Sequence, residues 1–262
     1  MAYTNPTPVL ADPTPAGRRD TKNAQQAEGY PRHRNIYFAF IDVLGFKQTF
    51  DENRENPRSH FAKDYEAVFK YFGQLLNNSN IVQAEFSCAG QTSDSLYFYT
   101  DRIDFLGEFL KNYLHFSLYA MSQKIFFRGG IAKGDLYVNL PHQFYGDCVI
   151  KAYLLEEKIA KFPRIALDRE TYTSLLTLSG MREMLQEDEK AGRFYVKPFV
   201  PIAKSELTAI TNLEEDQIRS VVSKDILKHI RDEKKRFEFD EHNYPKYHFL
   251  EQEFYSSDNK LE

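Results

Sequence analysis

The sequence predicts an α+β fold with ferredoxin-like topology. Three observations predict it. Strand and helix signals between residues 35 and 170 follow the order β-α-β-β-α-β. The first strand, "NIYFAFIDV", is a continuous apolar run of strand length, as in a sheet covered on both faces. The helical stretches between strands carry their apolar residues along one stripe.

Taken in order, residues 1–30 are rich in Pro, Thr, Ala and polar side chains without any period, so a mobile tail is expected. After the first strand, "DENRENPRS" is expected as a loop. "HFAKDYEAVFKYFGQLLNN" then places Phe61, Tyr65, Val68, Phe69, Phe72 and Leu76 at helical spacing. "IVQAEFSCAGQTSDSLYFYT" reads as a hairpin turning at Ala89-Gly90, its second arm opening with Asp94. "DRIDFLGEFLKNYLHFSLYAMSQK" is a helix begun by acidic residues, where the helix dipole favours them. "IFFRGGIAKGDLYVN" gives a strand broken at Gly129-Gly130 and a hairpin at Lys133-Gly134-Asp135. "GDCVIKAYLLEEKIA" is a helix and "RIALD" a short strand. Further on, "GRFYVKPFVPI" reads as a strand and "TNLEEDQIRSVVSKDILKHIRDEKKRF" as a long helix. That helix opens with the capping box Thr211-x-x-Glu214 and carries Ile218, Val222, Ile226 and Ile230 on one face. The closing "YPKYHFLEQEFY" is too aromatic for a free tail. The expected organisation is a tail at 1–30, a core domain at 31–172, and an extension at 173–262 packed on that domain. No internal repeat is present.

Composition narrows the function classes. The 262 residues are ample for a sizeable core. A formal charge of −4 argues against a generic nucleic-acid binder, which carries a basic surface. Cys88 and Cys148 are far apart, suggesting neither a disulfide framework nor a zinc site. No run of about 18 apolar residues exists and no hydrophobic signal core opens the chain, so a cytoplasmic protein without membrane contact is expected.

One stretch carries chemistry. The apolar "FAFIDVLGF" ends in Asp42 and turns at once through Gly45, as either a water-facing turn carboxylate or a metal ligand beside a backbone cradle. In ferredoxin-like topology the first and third strands are antiparallel neighbours. The end of the first, at Asp42, then lies beside the start of the third, at Asp94. Two carboxylates meeting at one sheet end suit hard divalent cations. "GGIAKG" lacks the Gly-Lys-Ser/Thr ending of a P-loop. His115, His229, His242 and His248 share no convergent spacing, and "RDEKKRFEFDE" reads as a solvated helix end.

Together "FIDVLGF", "TSDSLYFY", "RGGIAKGDLY" and "YGDCVIKAYLLEE" resemble, in order and approximate spacing, the catalytic domain of class III nucleotidyl cyclases. The general match covers about residues 35 to 170. With the closing "YPKYHFLEQEFY", the chain most resembles the bacterial pyrimidine cyclases of the Pycsar anti-phage system. The resemblance implies a cyclase catalytic domain at 31–172 and attack of a ribose 3′-hydroxyl on the α-phosphorus with loss of pyrophosphate. It implies two divalent ions, Mn²⁺ or Mg²⁺, held by Asp42, Asp94 and the carbonyl of Val43. Backbone N–H groups of Leu44, Gly45 and Phe46 would hold the β- and γ-phosphates. A homodimer with composite active sites is implied, as is a separate downstream effector activated by the cyclic nucleotide.

Departures from the purine cyclases point to a pyrimidine substrate. Their base-reading lysine falls near Gly90 in "AGQT", where this chain has none, and their second base reader falls at Gln143. Their transition-state Asn and Arg fall at Ile150 and Leu154, both apolar. Lys151, beside the vacated position, is the first candidate for the missing cation and Arg128 the second. The reading is a pyrimidine nucleotide cyclase making cyclic UMP from UTP, with CTP second. A purine cyclase with unusual base readers and a catalytically silent nucleotide-binding module are the competing readings.

Overall fold

The computed structural model describes residues 31–54, 61–78, 86–140, 143–199, 215–241 and 243–258. The tail at 1–30 and the capping box at Thr211 and Glu214 lie outside the described residues, as does His242.

The first strand, β1 (Arg32–Val43), is central, between β3 (Ser95–Thr100) and β4 (Phe127–Leu140), and antiparallel to both. β2 (Ser87–Thr92) lies outside β3, giving the order β2-β3-β1-β4. That is the ferredoxin-like arrangement, and the α+β class is observed. The sheet continues past β4 through β6 (Ile165–Leu167), β8 (Arg193–Val196) and β7 (Leu185–Asp188), while β5 (Gln143–Gly146) pairs with β4 as a hairpin. β6 is parallel to β4, so a crossover joins them: α4 (Asp147–Leu154) and a π-helical turn at Leu155–Ile159.

Period two in β1 divides its side chains between two faces. Tyr37, Ala39, Ile41 and Val43 join Leu96 and Phe98 in the main core, beneath α2 (Phe61–Asn78) and α3 (Ile103–Ser122). The amphipathic stripe of α2 explains its docking, with Val68, Phe69 and Phe72 buried; the Leu76 side chain lies outside the described residues. Ile36 and Phe38 face the other way, with Tyr97, Tyr99, Ala132 and Leu136, and are covered by Cys148 and Ala152 of α4. α4 approaches so closely that a Cβ on Gly130 would lie 2.0 Å from the Ala152 carbonyl oxygen.

The C-terminal part adds α5 (Arg169–Leu175), α6 (Met181–Met184) and a helical hairpin of α7 (Glu215–Arg236) and α8 (Tyr244–Asp258). Ile226 and Ile230 of α7 and Leu250 of α8 are buried with Met121 and Phe126; the side chains of Ile218 and Val222 lie outside the described residues.

Several local expectations are corrected. β2 runs straight through Ala89 and Gly90, and the hairpin turns instead at Ser93 and Asp94, with Ser93 at φ 53°. A Cβ on Gly90 would strike the Tyr97 hydroxyl, so this glycine makes room for a ring from the neighbouring strand rather than turning the chain. β4 is unbroken through Gly129-Gly130 and Lys133-Gly134-Asp135: Gly129, Gly130, Lys133 and Gly134 each have a partner on β1, and after a register shift pairing resumes at Leu136 on both sides. "FKQTFDEN" is helical, α1 (Phe46–Asn53), where a loop was expected from Asp51 onward. The strand expected over "GRFYVKPFVPI" is confined to β8, and β7, α5 and α6 were not anticipated.

Candidate active site

The site is the end of the sheet where β1 stops. Asp42 pairs with Ser95 across to β3 and with Arg128 across to β4. The Ser95 hydroxyl donates to Asp42 Oδ1 at 3.0 Å, and the Val43 N–H donates to the Asp94 carbonyl at 3.2 Å. Topology thus brings Asp42 and Asp94 together from opposite ends of antiparallel strands. Burial raises the pKa of Asp42 above the usual carboxylate value. The Ser95 bond opposes that rise, the neighbouring Asp94 adds to it, and Arg128 opposes it. Tyr65, from α2, donates its hydroxyl to the Ser93 carbonyl at 3.1 Å. Its phenol is pushed well up by burial, then by the charges of Asp94 and Asp42, so all three groups share one neighbourhood.

The backbone leaves β1 at Val43 and enters α1 through Leu44 and Gly45. Gly45 is the N-cap of α1 at φ +75°, a left-handed conformation that costs glycine nothing. Among the described residues, the N–H groups of Gly45 and Phe46 have no acceptor, as in the first turn of a helix, and they follow Asp42 by three and four residues. Leu44 departs from expectation. Its N–H donates to the Phe126 carbonyl at 2.8 Å, so it anchors the turn to β4 and is not a spare phosphate donor.

Opposite Asp42, Arg128 meets Glu156 of the π-helical turn, Nε to Oε1 at 2.5 Å. The contact is an ion pair without hydrogen-bond alignment. Glu156 is 2% exposed, and burial lifts its pKa to about 7 against the downward pull of Arg128; Asp42 and Glu157 push it further up. Sequence reasoning passed over Glu156. The signal was a Glu pair one turn beyond an apolar helix segment, and only the π-turn tucks one of them inward.

Lys151 and Gln143 lie elsewhere in the chain. The Lys151 ammonium pairs with Asp147 at 2.7 Å and donates to the Lys133 carbonyl at 3.2 Å. Lys133 pairs with Tyr37, five residues back along β1 from Asp42, or about 16 Å at strand rise. Gln143 is exposed at the β4–β5 hairpin, accepting from Asn139 Nδ2 at 3.4 Å. Ile150 is exposed on α4 and Leu154 lies at its last turn.

Two carboxylates at one sheet end are donors of the kind a hard divalent cation takes. Among the described residues, no three His, Cys, Asp or Glu side chains converge into a complete cation site. The donor set fits a Mg²⁺-type ion, which takes one or two carboxylates and completes its shell with water and substrate phosphate. The half-buried Asp42 carboxylate is disfavoured as an anion without such a cation beside it.

No protein-family profile and no curated protein matches the chain. Among solved structures it is similar to a bacterial light-regulated adenylyl cyclase, at 11% identity and TM-score 0.47, over 75% of this chain and 58% of that one. It is similar to an adenylate/guanylate cyclase/hydrolase from Silicibacter pomeroyi, at 18% identity and TM-score 0.39, over 63% of this chain and 95% of that one. It is also similar to adenylate cyclases from Trypanosoma brucei, at 10% identity and TM-score 0.44, over 66% of this chain and 94% of that one. The chain thus spans less than two thirds of the light-regulated cyclase it matches. At these scores the likeness decides nothing about chemistry, which rests on the chain's own geometry.

Proposed function

We propose that the protein is a metal-dependent pyrimidine nucleotide cyclase that converts UTP to 3′,5′-cyclic UMP and pyrophosphate, CTP being the alternative substrate. The observation that carries the reading is the convergence of Asp42 and Asp94 beside the open N–H groups of Gly45 and Phe46. Carboxylates and backbone donors side by side suit a cation–triphosphate complex.

In this reading, Asp42, Asp94 and the Val43 carbonyl would hold Mn²⁺ or Mg²⁺, which when bound would supply Lewis acidity and neutralise triphosphate charge. The chain's own groups do the positioning. Gly45 and Phe46 hold the β- and γ-phosphates, and Ser95 fixes the Asp42 carboxylate through its 3.0 Å hydrogen bond. Arg128, opposite Asp42 and braced by Glu156, is the cation within one chain closest to this pair in register. The O3′–Pα bond forms as the bond from Pα to the pyrophosphate oxygen breaks, and the 3′ proton passes to solvent water. Lys151 and Gln143 act only across a homodimer, from the second copy, where Gln143 reads the pyrimidine edge. The cyclic nucleotide would then serve as a messenger in anti-phage defence, acting on a separate effector.

The test is a product assay. Purified protein with each of ATP, GTP, CTP and UTP plus Mn²⁺ should yield cyclic UMP, identified by mass. Cyclic CMP moves the base assignment and a purine product replaces it. Nucleotide binding without product from any of the four indicates a binding module, the reading favoured by apolar Ile150 and Leu154.

A further inference from the structure

We propose that Lys246, on the C-terminal helix α8, is a second cation of this site and binds the terminal phosphates of a polyphosphate. The inference rests on the triphosphate reading of the Asp42 and Asp94 end of the sheet and deepens it.

The placement comes first. The Tyr247 ring meets the Phe126 ring edge-on at 5.6 Å, and both belong to a cluster with Leu44, Ile226, Ile230 and Leu250. The Phe126 carbonyl is the acceptor for the Leu44 N–H, and Phe126 lies two residues before Arg128. The first turn of α8 therefore packs on Phe126, just before β4, in the cluster that Leu44 also joins. An ion pair between Arg236 and Glu52 also ties the end of α7 to α1, whose N-terminus holds the open N–H groups.

Lys246 is only 9% exposed, so it does not reach for bulk water as most lysines do. Its ammonium donates to Asn243 Oδ1 at 2.9 Å, and Asn243 is held in turn by Asp240 at 2.8 Å. Among the described residues, no carboxylate lies within ion-pair distance of it. Burial and then the charge of Arg128 push its pKa down, against an upward pull from Asp240. Arg128 has Glu156 to offset its charge, whereas Lys246 has a neutral amide. Burying an ammonium with only a neutral amide bonded to it costs stability. Such an arrangement is characteristic of sites where an anion completes the charge balance. The acidic pair meets the cations of the bound complex, and Lys246 with Arg128 and the α1 N–H groups meets its phosphates.

The probe is inorganic tripolyphosphate with Mg²⁺, titrated calorimetrically into the full chain. Lys246→Gln keeps a donor for Asn243 and removes the charge; Lys246→Met removes both. Each should weaken tripolyphosphate about tenfold or more, as expected for a lost charge-assisted hydrogen bond. Lys246→Arg should stay within about threefold of the wild type, and melting temperatures should not fall. Unchanged affinity in both charge-removing variants overturns the inference, and so does a wild-type chain that fails to bind tripolyphosphate. A second measurement needs no variant: tripolyphosphate should slow acetylation of Lys246 in the wild-type chain, read by mass, and labelling that it does not slow overturns the inference too. The two readings fail separately. Tripolyphosphate binding that depends on Lys246, with no nucleotide cyclised, removes the cyclase and leaves Lys246 in place. Turnover of a nucleotide with Lys246-independent binding removes Lys246 alone.

Discussion

On one face of the central sheet, Tyr37, Ala39, Ile41 and Val43 of β1 lie with Leu96 and Phe98 beneath α2 and α3. On the other face, Ile36 and Phe38 begin a similar apolar row, but it runs through Phe40 to Asp42, opposite Arg128 and Glu156. The covering elements differ as well: 18- and 20-residue helices on the first face, an 8-residue helix and a π-turn on the second. A single strand thus devotes alternate positions to different work. The first face supplies stability through ring contacts such as Phe98 on Phe109, stacked at 4.3 Å. That surplus lets the second face hold charges that burial disfavours.

The largest expected effect falls on the charged end. Asp42→Asn and Asp94→Asn should each lower turnover by about 10³-fold or more, since cation-based stabilisation is worth several kcal/mol. Melting temperature should stay level or rise in Asp42→Asn, because a half-buried carboxylate is replaced by a neutral isostere. Steady-state rates beside a thermal melt check both. Retained turnover in either variant takes the acid pair out of the reaction.

Phe109→Ala tests the opposite face. The fully buried ring should cost about 3–5 kcal/mol in denaturant unfolding. KM per folded molecule should be unchanged, because the ring lies on the face away from Asp42. A loss below about 1 kcal/mol would show that stability is not concentrated there.

The two faces were unequally legible in the sequence. Period two and the β-α-β-β-α-β order sufficed for the sheet order around β1, and hence for the neighbourhood of Asp42 and Asp94. The hairpin turn was misplaced because Gly90 looks like a turn glycine, while its actual need is space for the Tyr97 ring. The Arg128–Glu156 pair was invisible, since it depends on a π-turn that has no sequence period. Leu44 was assigned a free N–H because nothing local reveals that Phe126, 82 positions on, accepts it.

A smaller effect follows from pH. Glu156 has a folded pKa of about 7, raised from 4.5, so the folded state holds a proton that the unfolded chain releases between those values. The unfolded state then binds fewer protons, and stability falls as pH rises through this window. The contribution is fully present below about 4.5 and lost above about 7, an order of about 3 kcal/mol. Glu156→Gln should flatten the fall, seen as melting temperatures that no longer drop from pH 4.5 to 7.5. An unchanged slope would assign the titration to another group.

The smallest effect on folding should come from the outer side of α4, and it sharpens the comparison most. Ile150 is 62% exposed, and Tyr153 and Leu154 stand three and four residues on, making an apolar stripe on a helix whose inner side already covers the sheet. Replacing an exposed residue moves monomer stability by no more than about 0.5 kcal/mol. In the proposed homodimer, however, this helix also carries Lys151 toward the second copy's Asp42, so Ile150→Glu should lower turnover and dimer content together while denaturant unfolding of the monomer stays put. Sedimentation at several concentrations beside the rate separates the possibilities. If association and turnover both survive the new charge, the stripe is plain surface, and the second face of the sheet works within one chain, with Arg128 as the cation opposite Asp42.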